Sequence, residues 1–220
     1  MPIAGYMLTV LIAYLLGSIP TGFLVAKARG VDIRTVGSGN IGATNVFRIL
    51  GTQAGIFVLL ADAAKGWLAV FVVAKLVSDW LYPQAGPAAE EWFSLAAGAA
   101  AIIGHNFTCW LHFKGGKGIA TSAGVLAGLV PVALLIILAI WIVVFAFSRY
   151  VSLASICAAA ALPFCAWLLG ESRTIVLVLS ALAALAIYKH KANIQRLLNG
   201  TENRIGGKRA APPDSPKATA

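Results

Sequence analysis

Two short stretches hold most of the residues able to do chemistry. The first is TVGSGNIGATNVFR, Thr35 to Arg48. Gly37, Gly39 and Gly42 spell GxGxxG, which in a βαβ unit would suggest a dinucleotide site. Here a long apolar run stands on each side, so that reading is set aside. A backbone without Cβ atoms can still curl and point several N–H groups at one anion. Ser38, Asn40, Thr44 and Asn45 add side-chain donors, and Arg48 adds a planar fork matched to phosphate. A flexible cytoplasmic turn is the simpler alternative, but a turn would not need so many donors.

The second stretch is GHNFTCWLHFKGGKGIATSAG, Gly104 to Gly124. Lys114 and Lys117 flank Gly115 and Gly116, and Gly118 opens the next helix. Two ammonium groups beside a helix N-terminus attract phosphate. The GxxxxGK[ST] spacing of a Walker A loop is missing, and a plain basic loop marking the cytoplasmic side is the alternative. His105 and His112 are spaced to share a helix face. No carboxylate or cysteine is arranged to complete a metal site with them, so neither a metal nor a cofactor is expected.

Three weaker signals follow. Arg149, Ser152 and Ser155 open an apolar run, where the serines suit a helix cap or a ligand. His190, Asn193 and Arg196 recur every third residue after the last run and line one helical face; a solvated amphipathic end is the alternative. Asp62 and Lys65 stand at i, i+3 inside an apolar run. Charges there are costly and pair, so they read as a structural ion pair near the site.

The elements that must position these residues are hydrophobic. The chain is 60% hydrophobic and 11% charged, with a mean hydropathy of +0.85. Its charged share is less than half that of a soluble domain, and no soluble core of this size hides such runs. The net charge of +9 then reads as positive-inside bias plus an anion site, not as a nucleic-acid surface. Met1 to Ala26 lacks a basic start and a cleavage site and is read as a span. Cys109, Cys157 and Cys165 form no CxxC and are expected to be buried thiols.

Spans are predicted at 4–26, 53–76, 92–111, 119–130, 131–147, 152–169 and 173–188. Basic loops stay cytoplasmic, which puts the N-terminus outside and the loops around Arg34 and Lys114 inside. As one helix, 119–147 would run about 43 Å at ~1.5 Å per residue, and it connects two basic loops. Two short helices turning at Val130–Pro131 restore the charge parity; one long tilted helix is the alternative. The expected fold is an all-α polytopic membrane bundle of seven transmembrane helices, C-terminus cytoplasmic. Residues 1–200 form a single domain, and 201–220 are expected to be a disordered cytoplasmic tail.

These segments lack a His–Asp general-base pair. None of His105, His112 and His190 starts the HxxxxD box by which one class of lipid acyltransferases activates a hydroxyl. Yet GSIPTGFLVAK, DIRTVGSGNIGATNVFRILG, ADAAKG, GHNFTCWLHFKGGKGIAT, SRYVSLASI and HKANIQRLLNGTE together resemble the bacterial acyl-phosphate:glycerol-3-phosphate acyltransferases, the PlsY type, from about Gly17 to Glu202. The resemblance implies a seven-helix inner-membrane protein with a cytoplasm-facing site. It implies acyl transfer from acyl phosphate to the 1-hydroxyl of glycerol 3-phosphate. Lysophosphatidic acid and inorganic phosphate would be the products, in the first step of bacterial phospholipid synthesis.

Acyl phosphate is already activated, and its own phosphate can accept the hydroxyl proton, which would explain the missing base. Ser38, Arg48 and Lys114 are then the expected catalytic residues. Gly37, Gly39, Asn40, Gly42, Asn45, Lys117, Ser152, His190 and Asn193 are the expected substrate contacts. Ser38, Arg48, Lys114, His190 and Asn193 are assigned to glycerol 3-phosphate; the Gly37–Gly42 backbone, Lys117 and Ser152 are assigned to acyl phosphate. Membrane lipids are the other expected partners; no nucleic acid and no obligate protein partner is expected. The rival readings are an organic-phosphate transporter, an acyltransferase using acyl-CoA or an acyl carrier protein, and a headgroup-binding adaptor.

Overall fold

The computed structural model describes residues 3–84 and 86–206, and these contain helices and loops but no strand. Helix α1 (Ile3–Ser18) and α2 (Thr21–Lys27) meet at Pro20. After the glycine-rich loop come α3 (Ala43–Leu50) and α4 (Thr52–Leu68), which runs through π-helical turns at Ala69–Ala74 into α5 (Lys75–Leu81). Then follow α6 (Pro87–Asn106), a short 3-10 turn at Cys109–Leu111, α7 (Ile119–Leu129), α8 (Pro131–Ser148), α9 (Val151–Leu168), α10 (Arg173–Lys189) and α11 (Lys191–Leu198).

Among the described residues, four helical stretches are long and apolar enough to cross a bilayer: Ile3–Lys27, Thr52–Leu81, Pro131–Ser148 and Val151–Leu168. The pair α10–α11, bent by 55°, makes a fifth if taken as one span. Helix α6 is ~30 Å long at ~1.5 Å per residue, but Glu90, Glu91, Ser94, His105 and Asn106 dilute its apolar character. At that rise α7 covers ~17 Å, about half the hydrocarbon core. The helix breaks at Val130, and Pro131 takes the first helical position of α8, where a missing N–H costs nothing.

Close packing follows from small residues. Helix α1 lies on α6 and α4 on α7, while α9 is packed between α8 and α10. A Cβ at Gly66 would overlap the Thr121 carbonyl, and one at Gly124 would overlap that of Ala63. The α4 and α7 backbones therefore touch, as small residues allow between membrane helices. Facing outward, Leu135, Phe147, Phe164 and Leu168 are exposed, an apolar surface that only lipid can cover. Cys109, Cys157 and Cys165 are free and half-buried rather than buried. The tail expected from 201 is described as far as Gly206, and that part is not loose: Ile205 N donates to Arg149 O at 3.0 Å. Residues 207–220 lie outside the described residues.

Candidate active site

The glycine-rich loop is held from within by Asn45, 1% exposed. Its Nδ2 donates to the carbonyls of Ile33, Val36 and Asn40, and its Oδ1 accepts from Ser38 N at 2.9 Å. Gly37 and Gly39 take φ of 63° and 68°, the left-handed region that favours glycine. A Cβ at Gly37 would also overlap Asn45 Oδ1. The N–H groups of Ser38, Gly39 and Gly42 are thus spent on the loop itself, bonding Asn45 Oδ1, Val36 O and Asn40 Oδ1. What the loop presents is the side of Ser38 and Asn40, the start of α3 at Ala43 and Thr44, and the Arg48 fork.

The second loop is anchored at both ends. Gly116 N donates to His105 O and Gly115 N to Asn106 O, while Lys189 Nζ reaches Asn106 O at 2.9 Å. Tyr14 from α1 donates to Phe107 O. This geometry turns Lys117 inward, half-buried, and leaves Lys114 exposed. His112 sits at φ 53° past the end of α6, so it does not share a helix face with His105.

The third wall comes from the chain's end. Lys117 Nζ donates to Asn193 Oδ1, and Asn193 Nδ2 donates to Glu202 Oε1 at 2.8 Å. Glu202 also accepts from Ser152 Oγ at 2.9 Å and from Arg196 Nε at 2.7 Å. One carboxylate therefore ties α9 and α11 together. Burial raises the Glu202 pKa, but the bonds from Asn193, Arg196 and Ser152 outweigh it and leave the carboxyl below its ordinary value. Burial pushes the Lys117 ammonium down to about 8; Glu202 opposes this, and Arg196, Arg48 and Lys189 add to it.

These walls enclose one cavity of about 360 Å³, within the size range of small-molecule sites. Its mouth is lined by Ser38, Asn40, Arg48, Lys117, Ser152, His190, Asn193, Arg196 and Glu202. It continues as an apolar groove between α7, α8, α9 and α10, past Trp141, Ala158, Ala159 and Ala183. Leu126, Leu162 and Leu179, which belong to the packed core, close the far end. Leu59 and Leu138 line the groove yet are 42% and 45% exposed, so it opens sideways toward lipid.

Of the twelve residues expected from sequence, Ser38, Asn40, Gly42, Asn45, Arg48, Lys117, Ser152, His190 and Asn193 line this cavity. Gly37 and Gly39 shape the loop from behind. Lys114 does not line it, because the turn that buries Lys117 points Lys114 to solvent. Sequence reasoning missed Glu202, assigned to a loose tail, and His105, which faces the cavity from α6; Asp62, expected to form an ion pair with Lys65 near the site, does so at 2.8 Å and lines the cavity from α4. Apart from Asp62 in ADAAKG, Glu202 and Asp32 are the two acids among the quoted segments, and that was the only signal of Glu202.

A cationic mouth joined to a lipid-open apolar groove is a shape suited to an amphiphilic anion in a membrane protein. The chain matches the family described as glycerol-3-phosphate acyltransferase over residues 7–200. It is 50% identical to the glycerol-3-phosphate acyltransferase of Geotalea daltonii, covering 87% of this chain and 93% of the relative. With that of Endomicrobium trichonymphae it shares 48%, covering 90% and 94%. The crystal structure of PlsY, an integral membrane glycerol 3-phosphate acyltransferase, in its glycerol 3-phosphate form superposes with a TM-score of 0.80 at 39% identity, covering 91% of this chain and 96% of that one. The chain therefore belongs to the glycerol-3-phosphate acyltransferase family, and it is an integral membrane acyltransferase of phospholipid synthesis.

Proposed function

We propose that this enzyme transfers a fatty acyl group from acyl phosphate to the 1-hydroxyl of glycerol 3-phosphate. Lysophosphatidic acid and inorganic phosphate are the products. The observation that carries this reading is the joining of mouth and groove in one cavity. An acyl phosphate needs an anion site and an apolar channel in line, and glycerol 3-phosphate needs a second anion site beside it. Ser38, Arg48 and the start of α3 suit one phosphate; Lys117, Ser152, Asn193 and Arg196 suit the other.

No protein base is required. His190 Nδ1 donates to Ala186 O at 2.8 Å, so in the neutral ring Nε2 is the acceptor, suited to orient the glycerol hydroxyl. The hydroxyl oxygen attacks the acyl carbonyl carbon, the bond from that carbon to the phosphate oxygen breaks, and the departing phosphate takes the hydroxyl proton. The released inorganic phosphate holds that proton near neutral pH, so the proton is accounted for without a protein group. The protein supplies alignment and charge stabilisation. Loop charge supports seven spans, an outside N-terminus and a cytoplasm-facing site; the inner membrane is what the family resemblance implies.

The deciding experiment gives purified protein in lipid labelled glycerol 3-phosphate with palmitoyl phosphate, or with palmitoyl-CoA, and follows lysophosphatidate and free phosphate. Product from the acyl phosphate alone is expected. Product only from the thioester would keep the acyltransferase and overturn the donor and the base-free route.

A further inference from the structure

Asp62, Lys65 and His105 form a buried polar cluster that none of the roles above employs. Lys65 Nζ lies 2.8 Å from Asp62 Oδ1, 2.8 Å from His105 Nδ1 and 3.0 Å from Ile19 O. The ammonium balances the Asp62 carboxylate as an ion pair and donates to His105 Nδ1 and Ile19 O, for it has N–H groups and no lone pair. His105 Nδ1 must therefore be the acceptor, and the ring proton sits on Nε2. Nδ1 is 3.7 Å from Asp62 Oδ1, but with Lys65 between them the ring cannot donate to the carboxylate. This inverts the arrangement of a Ser-His-Asp triad, in which Nδ1–H donates to the acid and Nε2 is the base. His105 is built as a donor.

The donor is placed where the reaction needs one. His105 is 5% exposed, lines the cavity, and its Nε2 has no hydrogen-bond partner among the described residues. Ile102, one turn back on α6, and Leu59, one turn back from Asp62 on α4, both line the apolar groove. His105 and Asp62 thus mark the level where mouth becomes groove, and there the carbonyl of an acyl phosphate must sit. A side chain at Gly116 would overlap Nε2; glycine leaves the donor clear.

We propose that His105 Nε2–H donates to the acyl carbonyl oxygen as it gains charge, an oxyanion-stabilising catalytic residue, with Lys65 and Asp62 positioning the ring. This rests on the acyl phosphate reading above. The oxygen of a carbonyl under attack becomes an oxyanion, and one fixed donor there contributes about 10²–10³ in rate.

The test uses two variants of the full chain in lipid. In His105→Gln the amide nitrogen reaches the Nε2 position and keeps the donor. In His105→Asn the amide oxygen reaches the Nδ1 position and keeps only the acceptor for Lys65. We expect H105N to lose about 10²-fold or more in kcat with little change in KM, and H105Q to stay within about tenfold of wild type. Activity retained in H105N and lost in H105Q, or retained in both, would sink the proposal. Nitrogen NMR of histidine-labelled wild-type protein gives an answer independent of variant folding: the Nε2–H tautomer supports the donor, and the Nδ1–H tautomer overturns it. Absence of ester product from wild type with acyl phosphate would instead overturn the reading of the reaction.

Discussion

A lysine's working range depends on what surrounds it. Lys117 is half-buried among Arg48, Lys189 and Arg196, and loses its proton near pH 8 rather than at the usual value of about 10.4. Its charge helps to bind phosphate, so that help is full below pH 8 and fades as pH rises through it. We expect the KM for the anionic substrates to climb above pH 8, and Lys117→Arg to abolish the climb, since guanidinium stays charged; a KM profile across pH 7–10 checks this. Lys114 makes the contrast. It points to solvent, so Lys114→Ala should cost less than about tenfold in kcat/KM, whereas Arg48→Ala and Lys117→Ala should each cost about 10²-fold or more. Equal losses in a steady-state assay would restore Lys114 to the site.

Among the elements, the segment after α11 has the most to do. Glu202 gathers donors from α9 and α11, and its folded carboxyl titrates below the ordinary range. The stabilisation is present above the unfolded value of about 4.3 and is lost as pH falls through the folded one. Thermal melts in detergent should therefore drop on acidification more steeply for wild type than for Glu202→Gln. The α4–α7 crossing is equally specific. Gly66→Val and Gly124→Val put side chains where a carbonyl now lies. Each should cost about 1–3 kcal/mol and loosen the wall that carries Asp62, read as a lower melting point together with lower turnover.

At the scale of the whole molecule the open question is how often the chain crosses. Loop charge implies seven spans, and α6 and α7 are the helices on which that count turns. In a background without native cysteines, a cysteine at Gln84 should react with an impermeant thiol reagent from outside whole cells. One at Lys114 should react only after the membrane is breached. The reverse pattern would invert the topology.

The extent to which this protein was legible differs by the range of the interactions. The all-helical, apolar character, the helix break at Val130–Pro131 and the donor-rich loops are local properties of hydropathy, proline geometry and side-chain type, and they could be read along the chain. Nine of the expected site residues meet in one cavity because their segments share one face of the helices. The rest depended on contacts far apart in sequence. Lys65 reaches across 40 residues to His105 and 46 to Ile19. Ser152 reaches across 50 to Glu202. Which of Lys114 and Lys117 turns inward is decided by carbonyls of His105 and Asn106, not by the spelling of the loop. The sequence by itself determined a membrane helix bundle with donor-rich, basic polar segments, because solvent transfer and charge act residue by residue. Only the tertiary structure decided which N–H groups are spent on the loop and which carboxylate closes the site, because a hydrogen bond exists only where packing brings donor and acceptor within about 3 Å.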